Sequence, residues 1–459
     1  MIYIERYIKY CIAAAMSIIA VGVEGKTIYV SSSEGTETNN GLSASASVNT
    51  IAAALTMGDT ILLKAGDVFY ETIECRNKYI SRYGEGHNPT LCGFKRIKEP
   101  NWEQIEPNIW KLKLNSDNFT GFTTHKEFVN NIGCIHDYDN DQIHGRRVQL
   151  RNYLKEDWDF YQTSNHKKNV LDSEFDYIYL YLESDPNLLH LEFSVGLAAA
   201  MLEGTKVDNL FFTGFGQGLI CKSNVTVSSC RIDAIGGRCY VNELDFCSQG
   251  SGVQLDANEG VSNCKVSDCC ITRCYEAGVS IHASYQNKIP VDGVTISNNL
   301  IANCGRGLEI VMSNVTDVNF EDCAFVSNTV LDSGNSGFGY TDQYFSTSHI
   351  FMDYGMKKIN FIFDDNIFVK GNLYLSSMPS NNNQLSDWQN NTCYLLPTDI
   401  MIGSIFVQRG AITVSGAGKL KDALKLFKEE SGDKSTRFVL CDEAKLEKEL
   451  LRRIEQKGK

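Results

Sequence analysis

The segment VTVSSCRIDAIGG, residues 225–237, recurs in degenerate form four more times along the chain. The other copies are VSDCCITRCYEAG (266–278), ISNNLIANCGRG (296–307), FEDCAFVSNTVLDSG (320–334) and FDDNIFVKG (363–371). One register aligns a turn residue in each copy, namely Cys230, Cys269, Asn299, Cys323 and Asn366. An apolar residue follows two places later in every copy, whereas the intervals between copies vary. Copies that keep the same turn and apolar positions while the connections between them vary in length are typical of a solenoid in which each coil stacks on the previous one.

A second repeat consists of short strands that begin with glycine. Its copies are GLICK (218–222), GVQLD (252–256), GVSIH (278–282) and GLEIV (307–311). Inward apolar and outward residues alternate with a period of two, which indicates strand and not helix. Strands joined by turns that carry stacked Asn or Cys form the coil of a parallel β-helix. The sequence therefore predicts an all-β parallel solenoid.

Composition narrows the partners that the chain can have. The chain has 459 residues, a formal net charge of −13 and a pI near 5.2. The sequence contains no basic patch with interleaved aromatic residues, so no nucleic-acid partner is predicted. We interpret the cysteines of the repeats as small buried apolar residues, since none has the paired spacing of a zinc site. Oligomeric state is left open.

The first 25 residues have the pattern of a secretory signal peptide. Arg6 and Lys9 precede the apolar run CIAAAMSIIAVGV (11–23), and small residues flank a cleavage point before Lys26. The run is shorter than the roughly 18 residues that a membrane span needs. No later run is long enough to span, so we predict no transmembrane segment and a secreted, periplasmic or cell-surface location.

The remaining chain divides into four parts by pattern. They are a cap with the first coils (26–93), an inserted β-rich module (94–200), the clear coils (201–375), and a polar connection with a helical tail (376–459). A short amphipathic helix near the start is expected to plug the open end of the solenoid, where exposed strand edges invite unwanted pairing.

The start of the chain resembles a known superfamily. IYVSSSEGTETNNGLSASASVNTIAAAL (28–55) and GDTILLKAGDVFYETI (58–73) look like the opening of secreted right-handed parallel β-helix proteins of the pectate-lyase-like superfamily, as in chondroitinase- and alginate-lyase-type enzymes. NIWKL (108–112), EDWDFYQ (156–162) and YIYLYLESDPN (177–187) resemble a module of bacterial glycan-utilisation proteins. The resemblance implies the right-handed fold, whereas activities in the superfamily range from lyases, hydrolases, epimerases and esterases to non-catalytic binders.

The resemblance also implies that substrate lies across the outward face of one parallel sheet. In this sequence that face carries Gln254, Asp256, Ser280, His282 and Glu309. The long turns 236–252 and 333–349 are expected to overhang it, and Asp353 is expected to add an outward carboxylate on the next coil.

Two kinds of cleavage chemistry fit these residues. Hydrolysis would use Asp256 and Glu309, about 10 Å apart at Cα, within reach of the roughly 6.5–9.5 Å of inverting glycosidases. His282, about 5 Å from Asp256, would tune their pKa values. Elimination beside a uronate would instead use His282 or Tyr240 as the base.

Elimination also needs a positive group against the substrate carboxylate. Arg238, Arg273 and Arg306 lie in or beside the turns that flank the face, with Gln254 as a further substrate contact. Ca²⁺ on the acidic face is an alternative, since it would bridge to the same carboxylate.

Structural roles compete with all of these assignments. Arg273 and Arg306 are alternatively turn caps or partners of Asp233 and Glu276, and the carboxylates are alternatively ordinary solvated residues. The resulting hypothesis is a secreted enzyme that cleaves a polysaccharide by elimination or hydrolysis. The alternative is a non-catalytic β-helix that binds glycan.

Overall fold

The computed structural model describes residues 25–114, 132–148, 150–162, 177–241, 246–284, 288–313 and 317–334. It also describes 339–340, 348–352, 361–370, 375–377, 388–395, 403–407, 410–411, 435–440 and single residues 425, 442, 444 and 448. The predicted signal peptide lies outside these ranges except for Gly25, and nearly all of the predicted tail helices do too.

Three long sheets form the walls of the solenoid. Sheet 1 contains Thr27–Val30, Thr60–Lys64, Tyr79–Tyr83, Lys206–Asp208, Thr226–Ser228, Lys265–Ser267, Thr295–Ser297, Cys323–Val326, Phe361–Asp364 and Trp388–Gln389. Sheet 2 contains Val68–Phe69, Thr90–Cys92, Phe211–Thr213, Arg231–Ile235, Cys270–Cys274, Leu300–Ala302, Thr329–Leu331, Ile367–Val369, Thr392–Leu395 and Arg437–Leu440. All neighbouring strands within these two sheets run parallel.

Sheet 3 forms the remaining wall and carries the predicted face. Its strands are Ile73–Arg76, Phe94–Arg96, Ile135–Asp137, Gln142–His144, Leu191–Glu203, Phe215–Cys221, Val253–Asp256, Ala277–Ser284, Arg306–Ser313, Ile350–Met352, Leu375–Ser377, Gly403–Val407 and Gly410–Ala411. The strands between Leu191 and Val407 pair in parallel, coil upon coil. The all-β parallel β-helix predicted from the sequence is confirmed.

Smaller elements lie outside the walls. A six-stranded sheet contains Glu103–Glu106, Ile109–Lys113, Arg146–Arg147, Phe160–Gln162, Tyr177–Tyr181 and Gly339–Tyr340. Val261–Ser262, Lys288–Asp292 and Asp317–Glu321 form a three-stranded sheet, and Arg238–Val241 pairs with Phe246–Gln249 as a hairpin. The helix is Ile51–Met57, and the 3₁₀ turns are Ala44–Ala46, Arg151–Tyr153 and Pro186–Leu188.

The short helix packs against the first coil, where the sequence predicts a cap. Thr50 precedes it, and its hydroxyl accepts a hydrogen bond from the Ala53 amide at 3.2 Å. The Glu71 carboxylate accepts from the amides of Ile51 and Ala52. Satisfying these first amides and placing a negative charge beside them both stabilise a helix start.

The core explains why the glycine-led strands begin with glycine. A Cβ on Gly278 would lie 2.2 Å from Ile301 Cγ2, and one on Gly307 would lie 2.4 Å from Val330 Cγ1. Ile301 and Val330 are fully buried in the solenoid core. Glycine is therefore required where each of these strands enters sheet 3, because a side chain there would collide with a buried residue of sheet 2.

The turn ladder corrects one register drawn from the sequence. Asn328, and not Cys323, stacks between Asn299 and Asn366: the side-chain oxygen Oδ1 of Asn328 accepts a hydrogen bond from the backbone amide of Asn299 at 3.0 Å. Cys323 instead pairs with Phe361 in sheet 1. The segment 320–334 contains two candidates for the turn position, and the apolar pattern fits both, so sequence similarity alone selected the wrong one.

The asparagine ladder should contribute measurably to stability. Asn328→Ala removes a buried acceptor used by the Asn299 amide and a donor to the Ile296 carbonyl, which lies 2.9 Å away. Leaving buried backbone groups unpaired costs about 1–3 kcal/mol each, so we expect the free energy of unfolding to fall by about 2–3 kcal/mol. Chemical denaturation measures this. The exposed Asn40→Ala is the control, and an equal effect of both substitutions would contradict a special role for the ladder.

The coils extend past the predicted end at residue 375. Trp388–Gln389, Thr392–Leu395 and Arg437–Leu440 pair in register with the strands of sheets 1 and 2. Asn391 continues the turn ladder by accepting from the Asn366 amide at 3.0 Å. The sequence interpretation missed these coils because the connections between them are long and polar.

Candidate functional site

The strand register gathers the predicted residues on the outer face of sheet 3. Asp256 pairs with His282, and Gln254 pairs with Ser280, which in turn pairs with Glu309 on the next coil. Their side chains point away from the core, since the intervening Leu255, Ile281 and Ile310 are fully buried inside it. This face, from Gln254 to Glu309, is referred to below as the polar face.

His282 has the central position on the polar face. Neighbouring strands are about 4.8 Å apart and residues about 3.3 Å apart along a strand. His282 is therefore one strand from Asp256, directly across, and about 8 Å from Glu309 on the diagonal. Asp256 and Glu309 are about 12 Å apart at Cα, because they differ by two strands and also by two positions along the strand.

The polar face is closed at one end and open at the other. Ser280 and Glu309 are each only 2% exposed although they point outward, whereas Asp256 and His282 are half-buried. An outward residue on a bare sheet would be solvated. The face is therefore the floor of a recess at Glu309 that opens towards Asp256.

Glu309 is one half of a buried ion pair. Its carboxylate contacts the guanidinium of Arg306, three residues earlier on the same strand. The Arg306 guanidinium also lies 3.9 Å from the centroid of the Phe351 ring, in the position of a cation–π contact. Arg306 is thus held with its positive charge beside Glu309, which is neither of the partners, Asp233 and Glu276, that the sequence analysis named.

Asp256 is oriented by its own turn. Its Oδ1 accepts hydrogen bonds from the backbone amide of Asn258 at 3.2 Å and from the Asn258 side chain at 2.7 Å. Such a local bond is typical of Asp at the end of a strand. It fixes the carboxylate next to His282 while leaving the group half-buried.

Arg273 points to a different place. Its guanidinium donates to both oxygens of Asp233 at 2.8 and 2.6 Å, and Asp233 also pairs with Arg231 and accepts from the Thr272 hydroxyl. Burial alone would raise the pKa of Asp233, but the two guanidinium groups hold it well below its usual range. Arg273 therefore has the partner that the structural alternative named, and the geometry does not bring it to the polar face.

Four polar residues lie at the edge of the polar face, and the sequence analysis named one of them, Glu276, only as a possible arginine partner. The side chains of Gln217 and Gln249 are hydrogen-bonded at 3.0 Å, and the Ser251 hydroxyl donates to Glu276 at 3.2 Å. Gln217, Ser251 and Glu276 each come one or two residues before a glycine that begins a strand. Extending the repeat backwards by two residues would have found them.

The two predicted overhanging turns are described only in part. Arg238 and Tyr240 lie on the hairpin strand Arg238–Val241, where Tyr240 pairs with Cys247. Their side chains lie outside the described part of the structure, as do Asp353 and most of the turn 333–349. Their assignments stay predictions.

The described residues contain neither a metal-ligand cluster nor a membrane-spanning helix. No group of three or more His, Cys, Asp or Glu side chains among them is arranged to hold a metal ion. No helix in the same ranges is both long and apolar enough to cross a membrane.

Comparison with known proteins adds structural neighbours and no sequence family. No family model matches the chain, and no curated protein is significantly similar in sequence. Similar solved structures include XylC in complex with xylose (12% identity, 90% of this chain, 82% of that chain, TM-score 0.39). A glycoside hydrolase is 10% identical, with 80% of this chain and 92% of that chain covered and a TM-score of 0.42. The pectate lyase Pel9A is 14% identical, with 84% of this chain and 73% of that chain covered and a TM-score of 0.34. Likenesses at this level concern the fold, so activity has to be argued from the residues of the polar face.

Proposed function

We propose that the chain is a secreted carbohydrate-active enzyme that cleaves an acidic polysaccharide by β-elimination on the polar face. The observation that carries the proposal is the pairing of half-buried Asp256 with His282 at the open end of a recess whose closed end holds Arg306 and Glu309. A base and a fixed positive charge are the two groups that elimination beside a uronate requires.

His282 is the proposed general base. Asp256, directly across from it, would orient the imidazole and stabilise the imidazolium that forms, as carboxylates paired with histidine do elsewhere. In the step, His282 takes the proton from the carbon next to the uronate carboxylate. The electron pair forms the carbon–carbon double bond, the glycosidic C–O bond breaks, and the leaving oxygen takes up a proton.

Arg306 is the proposed carboxylate partner. Its guanidinium has five donors in a planar fork that matches carboxylate geometry. Glu309 and Phe351 hold that fork in place. By strand register the Cα of Arg306 lies one strand across and five positions along from that of His282, about 17 Å away, so the long Arg306 side chain has to reach along the sheet towards the polar face. Charge neutralisation at this point makes the neighbouring C–H more acidic.

Hydrolysis by the two carboxylates Asp256 and Glu309 is the less well supported hypothesis for the same face. The Glu309 carboxylate is already engaged by the guanidinium of Arg306, which leaves it poorly placed to give a proton to a leaving group. The separation of about 12 Å from Asp256 is also longer than the roughly 6.5–9.5 Å of inverting enzymes. A non-catalytic glycan binder remains the alternative to any cleavage.

A panel assay tests the proposal. The chain from Lys26 onward is incubated with polygalacturonate, alginate, chondroitin sulfate, xylan and galactan, with either Ca²⁺ or EDTA. Ultraviolet absorbance of the unsaturated uronate and new reducing ends are followed together. We expect both signals to rise in parallel on one acidic polymer, with or without EDTA, because Arg306 provides the positive charge.

Each other outcome has a definite meaning. Reducing ends without absorbance would replace elimination with hydrolysis and return Glu309 to the role of an acid. If EDTA abolishes the activity, a bound cation and not Arg306 neutralises the substrate carboxylate. If neither signal appears but the protein binds one of the polymers, the glycan-binding alternative replaces the enzyme proposal.

A further inference from the structure

A second cluster of aromatic and charged side chains lies away from the polar face. It consists of Tyr70, Arg96, His136, Tyr138 and Glu192, and is called the tyrosine cluster below. These residues lie on or beside strands at the start of sheet 3, where Phe94–Arg96 and Ile135–Asp137 both pair with the first half of Leu191–Glu203. They come from four separate segments of the chain that the fold brings together.

Two tyrosine rings of the cluster are open to solvent. Tyr70 is 59% exposed and Tyr138 is 55% exposed, which places them among the most exposed large hydrophobic residues of the described chain. Tyr70 is close enough to Tyr138, Arg96 and Glu192 for their charges to act on its hydroxyl. Exposed tyrosine rings beside fixed polar groups offer an apolar face together with hydrogen-bonding groups, which is the combination that a sugar ring can use.

A partly buried ion network supports the rings from behind. Arg96 donates to Glu192 at 3.0 Å, and His136 Nδ1 lies 3.2 Å from the other oxygen of Glu192. The Arg96 guanidinium lies 5.1 Å from the centroid of the Tyr138 ring, and the His136 ring meets Tyr138 edge-on at 5.9 Å. These contacts fix the orientation of Tyr138 before any ligand arrives, which lowers the entropy cost of binding.

The imidazole of His136 lies between two carboxylates. Its Nδ1 faces Glu192, and its Nε2, which is inaccessible to solvent, lies 3.4 Å from Asp141 Oδ1. Burial lowers the pKa of His136, but the contacts with Glu192 and Asp141 raise it overall. The ring is therefore held in one orientation beside Tyr138.

The charges of the cluster favour an uncharged ligand. Glu192 neutralises Arg96, and the nearby Asp141 is almost fully exposed and adds a negative charge. Although burial raises it, contacts with His136 and Arg96 lower the pKa of Glu192 overall, so its charge persists at neutral pH. The additional negative charge of Asp141 would repel an anionic sugar from these residues.

We propose that the tyrosine cluster is a second carbohydrate site that binds one neutral sugar residue of a glycan. The apolar face of the sugar ring would stack on Tyr138 and Tyr70, as the amphipathic rings of tyrosine allow. Sugar hydroxyls would bond to the edge of the Arg96–Glu192–His136 network. The site needs no cleavage on the polar face, although a glycan as its ligand agrees with the proposed function.

Affinity electrophoresis of the full chain tests this site. The background carries His282→Ala, so that the polymer is not degraded and a failure of the enzyme proposal does not affect the result. The probes are xylan, galactan and glucomannan as neutral polymers and polygalacturonate as the acidic one. We expect at least one neutral polymer to retard the protein, with the dissociation constant rising 10-fold or more in Tyr138→Ala and in Tyr70→Ala.

Two control variants separate stacking from a loss of structure. Tyr138→Phe keeps the ring and is expected to retain binding within about threefold. Tyr153→Ala, another exposed tyrosine of the inserted segment, is expected to bind like the background protein. Retardation by polygalacturonate alone, no retardation by any neutral polymer, or equal binding by all variants would each overturn the proposal.

Discussion

His282→Ala is expected to reduce cleavage of the polysaccharide substrate by at least about 100-fold. A positioned general base contributes about 10²–10⁴ to the rate, and no other described side chain of the polar face replaces the imidazole. The loss should appear in kcat more than in KM, because a base acts on the proton that moves in the transition state. Initial rates over a range of substrate concentrations measure this.

Folding must be unaffected for this result to concern catalysis. His282 is half-buried on an outward face, so we expect the Tm of the variant to stay within about 4 °C of the wild type. Asp256→Asn should retain shape and lose a smaller part of the activity, since Asp256 acts through His282. Retained activity in His282→Ala would remove the polar face from the mechanism.

Asp233→Asn is expected to lower the free energy of unfolding by about 3–5 kcal/mol at neutral pH. Asp233 is 1% exposed and holds the guanidinium groups of Arg231 and Arg273, both at 2.8 Å or less. Removing its charge leaves the partly buried guanidinium groups of Arg231 and Arg273 without their buried counter-ion, and losing one partner of a buried pair costs this much. Chemical denaturation of the wild type and the variant gives the difference.

The pH dependence of that difference has a definite sign. The pKa of Asp233 is lower in the folded chain than in the unfolded chain, where Asp has a pKa of about 3.9. Its contribution is therefore fully present above about pH 4 and is lost as the pH falls below that value towards the folded pKa. The difference in the free energy of unfolding between the wild type and Asp233→Asn should therefore become smaller at acidic pH.

A matched substitution provides the control. Asp268 is exposed and sits at positive φ, a conformation that Asn tolerates as well as Asp. Asp268→Asn is expected to change the free energy of unfolding by less than about 0.5 kcal/mol at every pH. If Asp268→Asn lowers the free energy of unfolding as much as Asp233→Asn does, burial of the ion pair is not the reason for the effect of Asp233→Asn.

The period of the repeats made the fold and the main face predictable. Gly278 and Gly307 mark where strands enter sheet 3, and counting from each glycine gives Ser280, His282 and Glu309 their outward positions without any structure. Stacking of coils then follows from the geometry of parallel strands, which places Asp256 beside His282. Local patterns with a strict period carry this information because each coil repeats the same packing.

Contacts between distant segments could not be predicted in this way. The sequence named Asp233 only as one of two possible partners of Arg273 and Arg306, and the stacking of the coils decides that Arg273 contacts it. The tyrosine cluster joins Tyr70 to Tyr138 and Glu192 through an insertion with no repeat. No periodic signal in the sequence relates such residues to one another.

The most direct test is a crystal structure of His282→Ala soaked with an oligosaccharide of the polymer that the wild type cleaves. The account predicts a sugar chain across the polar face, with a carboxylate within hydrogen-bond distance of Arg306 and a C–H group facing the position vacated by the imidazole. An oligosaccharide bound only elsewhere, with the polar face empty, would contradict it.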